Sequence, residues 1–300
     1  MIPAKAILRH PRVILRHQHA VPHHPLANPH WEARLALEYE QRSKRTVLAR
    51  RSHSGPLRVL RDLYPEGEGI CHTIIVHPPG GIVGGDTLLL SAKLGSGSAA
   101  LLTTPGAGKW YRSQSLPASQ TLEFDVGAGA SLEWLPQESI LFDGAMAQMK
   151  TTVRLSGDGL YTGWEILCFG RAASGQKFLA GLLMQQTEIL ADGERLWGER
   201  ARVAGDDPLF ASPVGLAGHS VCATLIAAGH QCSNEALAEC REVPAGKGAL
   251  CGITRLPRIL IARWLGGAGE DARRYLAAVW AVLRPVMRQS AAIEPRIWRT

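Results

Sequence analysis

Alternating apolar and polar positions predict that this chain is built mainly from β-strands. Behind Trp31, the apolar residues Ala33, Leu35, Leu37 and Tyr39 occupy every second position. That period is typical of a strand with one face buried and the other in water. Similar short stretches, separated by glycine-containing turns, recur along most of the chain. The pattern therefore indicates a mainly β protein.

Three of these stretches form a weak internal repeat. Each begins with a glycine-rich turn, at Gly97, Gly129 and Gly159, and continues into an apolar run. The steps between the three glycines are 32 and 30 residues. A turn, a strand and a return strand repeated at this distance suggest stacked layers of β structure. Either a wide sandwich or an irregular β-solenoid fits the repeat.

Helix signals come only near the C-terminus. Ser233 precedes a short helical segment as a capping residue, and a second helix is expected at about 270–288. The second has Leu276, Trp280 and Leu283 on one face, and Pro285 is expected to bend or end it. We therefore predict layered, helically stacked β-strands (irregular β-solenoid-like) with about two α-helices. The chain divides into a flexible His/Pro/Arg-rich arm (1–30) and a single β domain (31–300).

The most constrained stretch is the decapeptide 77–86, HPPGGIVGGD, which lies between two apolar strands. Proline fixes φ, whereas glycine permits positive φ and close approach of other groups. Such a stretch is either a catalytic or phosphate loop or a structural corner. Its structural residues would be His77, Gly80, Gly81, Gly84 and Gly85, with Asp86 as the corner's cap.

The net charge of +7 is unevenly distributed, with +9 over residues 1–61, −8 over 62–254 and +6 over 255–300. The basic ends either form a solvated surface or dock on acidic protein surfaces. Nucleic acid is disfavoured as a partner because the Lys and Arg residues are scattered. Six cysteines without a C-x-x-C pair indicate reduced thiols. With no signal peptide and no membrane-length apolar run, a cytoplasmic protein is expected.

Known catalytic patterns fail on this sequence. The segment 105–110 resembles a phosphate loop but has Thr103 and Trp110 where glycine and a hydroxyl residue are required. Lys109 and Arg112 therefore anchor a loop or a partner. Residues 218–222 resemble a nucleophile elbow but end in Cys222 instead of glycine. No set of four metal ligands is evident, so we expect neither catalytic residues nor a permanently bound cofactor.

Carboxylates are the remaining candidates for chemistry. Asp86, Glu138, Asp143 and Glu165 stand beside glycines, prolines or aromatic residues. Acids in such surroundings either cap turns and pair with arginines or line a wet cavity. Paired carboxylates on a β-solenoid also leave open a carbohydrate-active enzyme, which would use them as acid and base.

Four motifs carry a family resemblance: 77–86, TTPGAGKWYRS at 103–113, WLPQESILFDGA at 134–145 and PRIW at 295–298. Together they resemble the urease accessory proteins UreD, also called UreH. The resemblance runs from about Trp31 to the C-terminus. The first thirty residues lie outside it, and their histidines either form a weak metal-binding cluster or belong to a flexible arm: His17, His19, His23 and His24.

The resemblance implies a mainly β, non-enzymatic protein that binds apo-urease and joins UreF and the GTPase UreG to install nickel. It also implies an internal tunnel through which nickel(II) is carried in transit. We hypothesise that five carboxylates line or support this path: Asp62, Asp86, Glu138, Asp143 and Glu165. The chain departs from the family pattern at Gln176, where an acid is expected. Candidate partner contacts are Lys109, Arg112, Leu276, Trp280 and Leu283; the last three face either UreF or the protein's own core.

Overall fold

The computed structural model of the protein describes residues 30–299, and within them the chain forms eighteen strands and two α-helices. The predicted N-terminal arm and its histidines lie outside the described residues. The strands are β1 (Glu32–Arg42), β2 (Arg45–Ser54), β3 (Arg58–Leu63), β4 (Cys71–Val76), β5 (Thr87–Leu94), β6 (Ala99–Thr103), β7 (Gly108–Trp110), β8 (Ala118–Val126), β9 (Ser131–Trp134), β10 (Ser139–Leu141), β11 (Met146–Leu155), β12 (Leu160–Arg171), β13 (Gln176–Lys177), β14 (Leu182–Ala191), β15 (Glu194–Ala204), β16 (Val221–Ala228), β17 (Leu250–Leu256) and β18 (Ile259–Gly266).

The strands form two sheets that together make a β-solenoid of about four turns. The seven-stranded sheet has the order β15-β14-β11-β8-β5-β1-β2, and β1, β5, β8, β11 and β14 run parallel. The eleven-stranded sheet follows β17-β18-β16-β12-β9-β6-β4-β3, with β7, β10 and β13 beside this path. The prediction of helically stacked strands is confirmed.

The internal repeat corresponds to successive turns of the solenoid. Ser131 pairs with Ala99, which is 32 positions earlier in the chain. Leu160 in turn pairs with Ser131, which is 29 positions earlier than Leu160. The predicted steps of 32 and 30 residues therefore match the stacking of β6, β9 and β12 to within one residue. The glycine-rich turns are the tight connections from one sheet to the other. Gly97 and Gly129 both have positive φ there, which side chains rarely adopt.

The two edges of the solenoid differ. On one edge, tight turns such as 95–98 and 127–130 lead from the seven-stranded sheet to the eleven-stranded sheet. On the other, the chain returns through four longer segments, at 77–86, 104–117, 135–145 and 172–181. We call these the long loops. They contain the decapeptide and most of the sequence motifs described above.

Two apolar cores lie on opposite faces of the eleven-stranded sheet. The first lies between the two sheets and includes the alternating residues Leu35, Leu37 and Tyr39, all about 1% exposed. The second lies between the eleven-stranded sheet and the helices α1 (Asn234–Glu242) and α2 (Gly269–Arg288). We call this second region the helix layer. It excludes water through the packing of whole aromatic and aliphatic side chains.

Both predicted helices are present. Ser233 caps α1, accepting a hydrogen bond from the backbone N–H of Ala236 at 3.2 Å. Helix α2 continues past Pro285 and ends at Arg288, so the proline does not end the helix. Pro285 is exposed, and only one backbone hydrogen bond is lost at that position. None of the helices among residues 30–299 is long and apolar enough to cross a membrane.

A buried ion network fixes α2 to the eleven-stranded sheet. The guanidinium of Arg284 donates to Glu133 on β9 at 2.9 Å and to Glu66 at 2.5 Å. Trp280 Nε1 also donates to Glu133, at 2.7 Å, and His72 lies 2.6 Å from Glu66. All three charged side chains are at most 5% exposed. Buried charges are tolerated only when they are paired in this way.

Candidate functional site

A cavity of about 940 Å³ lies between the two sheets. Its walls are the inward faces of strands from both sheets, and much of this surface is apolar, including Leu88, Leu90, Leu122 and Leu183. The long loops border it at one edge of the solenoid. A space this large has room for many water molecules if polar groups line it.

Polar side chains do line the cavity, at positions where the strand pattern calls for apolar ones. On β8, Gln120 has the same parity as the buried Leu122 and Phe124. On β14, Gln185 and Thr187 have the parity of buried Leu183. Further strands add polar residues of the same kind: Thr151, Glu165, Glu199, Thr224 and Arg263. We call these eight residues the polar layer. Their clustering indicates a wet interior, because isolated polar groups are costly to bury.

Glu165 is the carboxylic acid at the centre of this layer. It lies on β12, directly opposite Thr224 of β16, which in turn lies opposite Arg263 of β18. The amide of Gln185, on the other sheet, donates a hydrogen bond to it. Burial raises the pKa of Glu165 to about 7; the bond from Gln185 opposes that rise, and the charge of Glu199 adds to it. Glu165 is therefore poised between its acid and carboxylate forms at neutral pH.

A second link between the sheets lies next to Glu165. Arg263 Nη2 donates to Glu199 of β15 at 2.7 Å. Because Arg263 is engaged with Glu199, it does not neutralise Glu165, and no ion pair among residues 30–299 involves Glu165. The polar layer thus holds one paired carboxylate and one without a cationic partner.

The decapeptide 77–86 forms a corner at the border of the cavity. His77, Gly80 and Gly81 line it directly. Burial lowers the pKa of His77, with the charge of Asp86 acting in the opposite direction. Its Nε2 is buried without a hydrogen-bond partner among the described residues. A neutral imidazole nitrogen with a free lone pair is a ligand for a divalent transition metal.

Steric crowding explains why two adjacent glycines stand at the end of the corner. A Cβ at Gly84 would lie 2.6 Å from the carbonyl oxygen of Leu116 in the next long loop. Gly85 has φ +92°, and a Cβ there would collide with the ring of His30. The stretch is thus a tight corner between β4 and β5, one of the two alternatives from the sequence.

Four of the five predicted carboxylates accept hydrogen bonds from other residues: Asp62, Asp86, Asp143 and Glu165. Asp86, which is 4% exposed, accepts backbone hydrogen bonds from Trp31 at 2.9 Å and Val83 at 3.0 Å. Asp62 accepts from the hydroxyl of Thr73 at 3.0 Å. Asp86 therefore caps the corner, whereas Asp62 pairs with Thr73 across strands β3 and β4, and neither borders the cavity.

Asp143 and Glu138 also lie away from the cavity wall. Asp143 accepts backbone hydrogen bonds from Leu179 and Ala180, both at 2.9 Å. It also forms an ion pair with Arg112, whose Nη2 lies 2.6 Å from the carboxylate. The bonds from Ala180 and Leu179, and then the charge of Arg112, lower the pKa of Asp143. Glu138 is half-buried beside the start of α2. Among the five, only Glu165 faces the cavity; the role of all five on a nickel path stays a prediction.

The predicted partner contacts fall into two groups. Leu276, Trp280 and Leu283 are at most 1% exposed and pack in the helix layer, so they face the protein's own core. Lys109 and Arg112 are exposed in the second long loop. Arg112 holds Asp143, which supports its expected role as a loop anchor.

A tight metal centre is not evident. Among residues 30–299, no group of three or more His, Cys, Asp or Glu side chains could hold a metal ion. Burial, followed by the charge of Glu165, raises the pKa of the cavity-lining thiol of Cys222 to about 12. That thiol stays protonated at neutral pH and is a poor metal ligand.

The sequence prediction missed Glu199 and Arg263. Glu199 lies on β15 and Arg263 on β18, and their pairing joins residues 64 positions apart in the chain. One signal was available: polar residues at inward parity, as at Gln120 and Gln185, mark positions that an apolar core would not select.

Comparisons with known proteins identify one family. The family model described as "UreD urease accessory protein" matches residues 32–299. The chain is 49% identical over 273 residues to "Urease accessory protein UreD" of Dechloromonas aromatica, covering 90% of this chain and 95% of that protein. It is 51% identical over 272 residues to the protein of the same name from Azoarcus sp. strain BH72, covering 90% and 94%. A relative from Pseudomonas aeruginosa is 46% identical over 272 residues, covering 90% and 95%.

Proposed function

The chain belongs to the UreD family of urease accessory proteins, and we propose that it acts in urease maturation as a non-enzymatic scaffold. It would assemble with UreF, the GTPase UreG and apo-urease, and nickel(II) would pass through the cavity between its sheets as cargo. The observation that carries this proposal is Glu165, a cavity-facing acid whose pKa is near 7 and which lacks a cationic partner.

Transit of a metal ion requires ligands that bind the ion weakly and then release it. Nickel(II) binds nitrogen and sulfur ligands strongly, so a full His/Cys set would retain it. The cavity instead offers single groups: the carboxylate of Glu165, the amides of Gln120 and Gln185, and the threonine hydroxyls. His77 adds one neutral imidazole at the border. Dispersed single ligands of this kind suit a passage rather than a storage site.

Protonation offers a way to release the ion. An arriving cation favours the carboxylate form of Glu165, and a proton returning to that carboxylate weakens its hold. Because the pKa of Glu165 lies near 7, this exchange costs little free energy at neutral pH. The ion pair of Arg263 with Glu199 keeps a second carboxylate from strengthening the binding.

The proposal is tested by co-expressing the protein with UreF, UreG and apo-urease, then measuring complex formation and the nickel content of urease. Glu165→Gln keeps the size and the contact with Gln185 but removes the charge. We expect the complex to form while nickel content falls. A second variant, Thr151→Trp, fills the cavity with an indole and should have the same effect.

The matched control is Glu123→Gln, which removes a carboxylate from β8 at a position whose parity points away from the cavity. Nickel incorporation should be unchanged. Normal incorporation with both Glu165→Gln and Thr151→Trp, in complexes that assemble, would contradict passage through the cavity. Normal incorporation without this protein would contradict its role in maturation altogether.

The same purified protein tests the enzymatic alternative. A carbohydrate-active enzyme would place two carboxylates on either side of a sugar in an open groove. Glu165 and Glu199 instead lie between two sheets, and Glu199 is tied to Arg263. We expect no hydrolysis of polysaccharides, and turnover that disappeared in Glu165→Gln would overturn the non-enzymatic assignment.

A further inference from the structure

The last strands of both sheets lie at the same end of the solenoid. There the seven-stranded sheet finishes with β14 and β15, and the eleven-stranded sheet with β16, β18 and β17. We call this the C-terminal end. In a stacked structure each layer contacts only its neighbours, so the last layer has one side without a covering layer. Individual side chains must close the interior there if it is to be closed.

Arg263 stands between two spaces at the C-terminal end. It lines the cavity between the sheets and also a second cavity of about 200 Å³, whose other walls include Trp197 and Leu256. Glu199, the ion-pair partner of Arg263, lines the first cavity and not the second. The side chain of Arg263 is 49% exposed and that of Glu199 is 28% exposed. The pair therefore lies across the end of the interior, with its cation outward and its carboxylate inward.

This ion pair is also a bridge between the sheets. Arg263 belongs to β18 and Glu199 to β15, and the distance from Nη2 to Oε1 is 2.7 Å. Among the Arg–carboxylate pairs of residues 30–299, it is the one that joins a strand of each sheet. A guanidinium stays charged at every pH that proteins experience. A cation arriving from the second cavity thus meets a permanent positive charge before it reaches the carboxylate.

The space beside the guanidinium is open. Gly252 of β17 lies opposite Arg263 in the strand register. A Cβ at Gly252 would meet no other heavy atom within 4 Å, and its φ lies outside the left-handed region. Packing in the interior therefore does not require glycine at this position. The absence of a side chain there leaves Arg263 as the group that stands in the opening.

The charge of Arg263 is felt inside the cavity. Cys222 lines the cavity and lies on β16, the strand next to β18. Burial, and then the charge of Glu165, raise the pKa of Cys222, and the charge of Arg263 opposes that rise. The thiol of Cys222 is therefore a natural reporter for ions that enter past Arg263.

We propose that Arg263 is a charge barrier that keeps cations from passing between the cavity and solvent at the C-terminal end. Positive groups in narrow passages exclude cations in this way. The barrier keeps a cation inside the cavity from leaving through this end. This deepens the proposed function, from which it takes nickel(II) as the cation concerned. The alternative is that the ion pair only fastens the two sheets together.

The test compares the rates at which Cys222 reacts with two methanethiosulfonates of similar size, one carrying a trimethylammonium group and the other a sulfonate group. The thiolate forms a mixed disulfide with the reagent and releases methanesulfinate. Peptide mass spectrometry measures modification at Cys222 in the full chain, and 2-mercaptoethanol gives the rate ratio of an unshielded thiol. Relative to that ratio, the cationic reagent should react with Cys222 at least about threefold more slowly than the anionic one.

Two substitutions should move this preference in opposite directions. Arg263→Gln leaves the carboxylate of Glu199 at the opening, so the cationic reagent should become the faster of the two. Glu199→Gln removes the carboxylate and should slow the cationic reagent further. A change in the pKa of Cys222 alters the thiolate fraction seen by both reagents equally, so it does not affect their ratio.

Two controls separate local charge from other effects. Ala107→Cys places a thiol in the second long loop, where residue 107 also lines the cavity. Its rate ratio should change by no more than about twofold when Arg263→Gln is added, because the two residues lie at different openings. Gly252→Leu combined with Arg263→Gln fills the opening without charge. Both rates should then fall, while the preference for the cationic reagent remains. Thermal unfolding shows whether each variant is folded.

Three results would overturn the proposal. In the first, Cys222 of the wild type reacts with the ratio of 2-mercaptoethanol. In the second, Arg263→Gln changes both rates by the same factor, which would make the ion pair a steric tie. In the third, Cys222 of Arg263→Gln reacts with neither reagent, which would show that this end does not lead to the cavity. None of these measurements uses nickel or a partner, so failure of the wild type to support nickel incorporation would contradict the proposed function alone.

Discussion

Buried carboxylates occur on both sides of the eleven-stranded sheet, and their surroundings are opposite. In the helix layer, Glu66 and Glu133 share the guanidinium of Arg284. In the cavity, Glu165 has an amide partner and no cation. Burial alone raises the pKa of a carboxyl group in either place. The bonds from His72 and Arg284 reverse this for Glu66, whose pKa falls below its ordinary value, whereas the pKa of Glu165 rises to about 7.

This difference distinguishes carboxylates that hold the fold together from a carboxylate that is a candidate for function. In the helix layer Glu66 and Glu133 are both paired with Arg284 of α2, so the network fixes where the helix lies. In the cavity the chain keeps an acid at a cost to folding that a leucine would avoid. Strongly shifted titratable groups in cavities are candidates for function for this reason. The comparison predicts that substitutions on the two sides will have opposite effects on stability.

Arg284→Met should give the largest effect. It leaves Glu66 and Glu133 buried without their shared cation, and removing one partner of a buried ion pair costs about 3–5 kcal/mol in the free energy of unfolding. Urea unfolding measures the loss. Arg274→Met on the exposed face of the same helix breaks a surface ion pair and should cost little.

A compensated variant sharpens this prediction. Combining Arg284→Met with Glu66→Gln and Glu133→Gln removes all three charges, and a large part of the stability should return. If the triple variant were no more stable than Arg284→Met alone, packing of the arginine stem rather than charge would hold the helix.

Glu165→Gln should instead stabilise the protein at high pH. The folded protein holds a proton on Glu165 up to about pH 7, whereas the unfolded chain releases it near the ordinary value of 4.5. Stability therefore falls as pH rises between these values. At pH 8 the glutamine variant should be more stable by about 1–3 kcal/mol, and near pH 5 the two should converge.

Urea unfolding from pH 5 to pH 8 gives this slope. Glu66 provides the internal contrast: its lowered pKa contributes stability above its ordinary value of 4.5, and that stability is lost as pH falls further. Equal stability of wild type and Glu165→Gln at pH 8 would mean that Glu165 is solvated like a surface acid, and the contrast between the layers would disappear.

The sequence allowed much of the fold to be predicted, but only part of the site. Local patterns predicted β1, the stacked turns and both helices, because alternation and helical spacing need only neighbouring residues. The predicted helix at about 270–288 matches α2, which continues past Pro285 to Arg288, so the proline does not end it. Polar residues at inward parity mark single members of the polar layer in the sequence, but which members meet depends on strand register. Glu165, Thr224 and Arg263 meet only after three strands pair.

Long-range partners explain the remaining omissions. The bond between Arg284 and Glu66 spans 218 residues, and no local pattern links them. The carboxylates were recognised as belonging to caps, ion pairs or a wet cavity, and the structure contains all three kinds: Asp86, Asp143 and Glu165. Which acid takes which role is decided by the neighbours that folding brings to it.

The smallest predicted effect comes from making the same substitution at two threonines, since valine has nearly the same size as threonine. In the helix layer, the hydroxyl of Thr103 donates to the carbonyl of Leu135 at 2.5 Å and accepts from Trp298 Nε1 at 2.8 Å. Thr103→Val leaves that indole N–H buried without an acceptor and should cost about 1–3 kcal/mol. Thr187 faces the cavity, so Thr187→Val removes a hydroxyl from wet surroundings and should change stability by less than about 0.5 kcal/mol. Urea unfolding of both variants at one pH measures the difference. A loss at Thr187 as large as that at Thr103 would show that the polar layer is a closed hydrogen-bond network, and a passage for a hydrated cation would then have to break it.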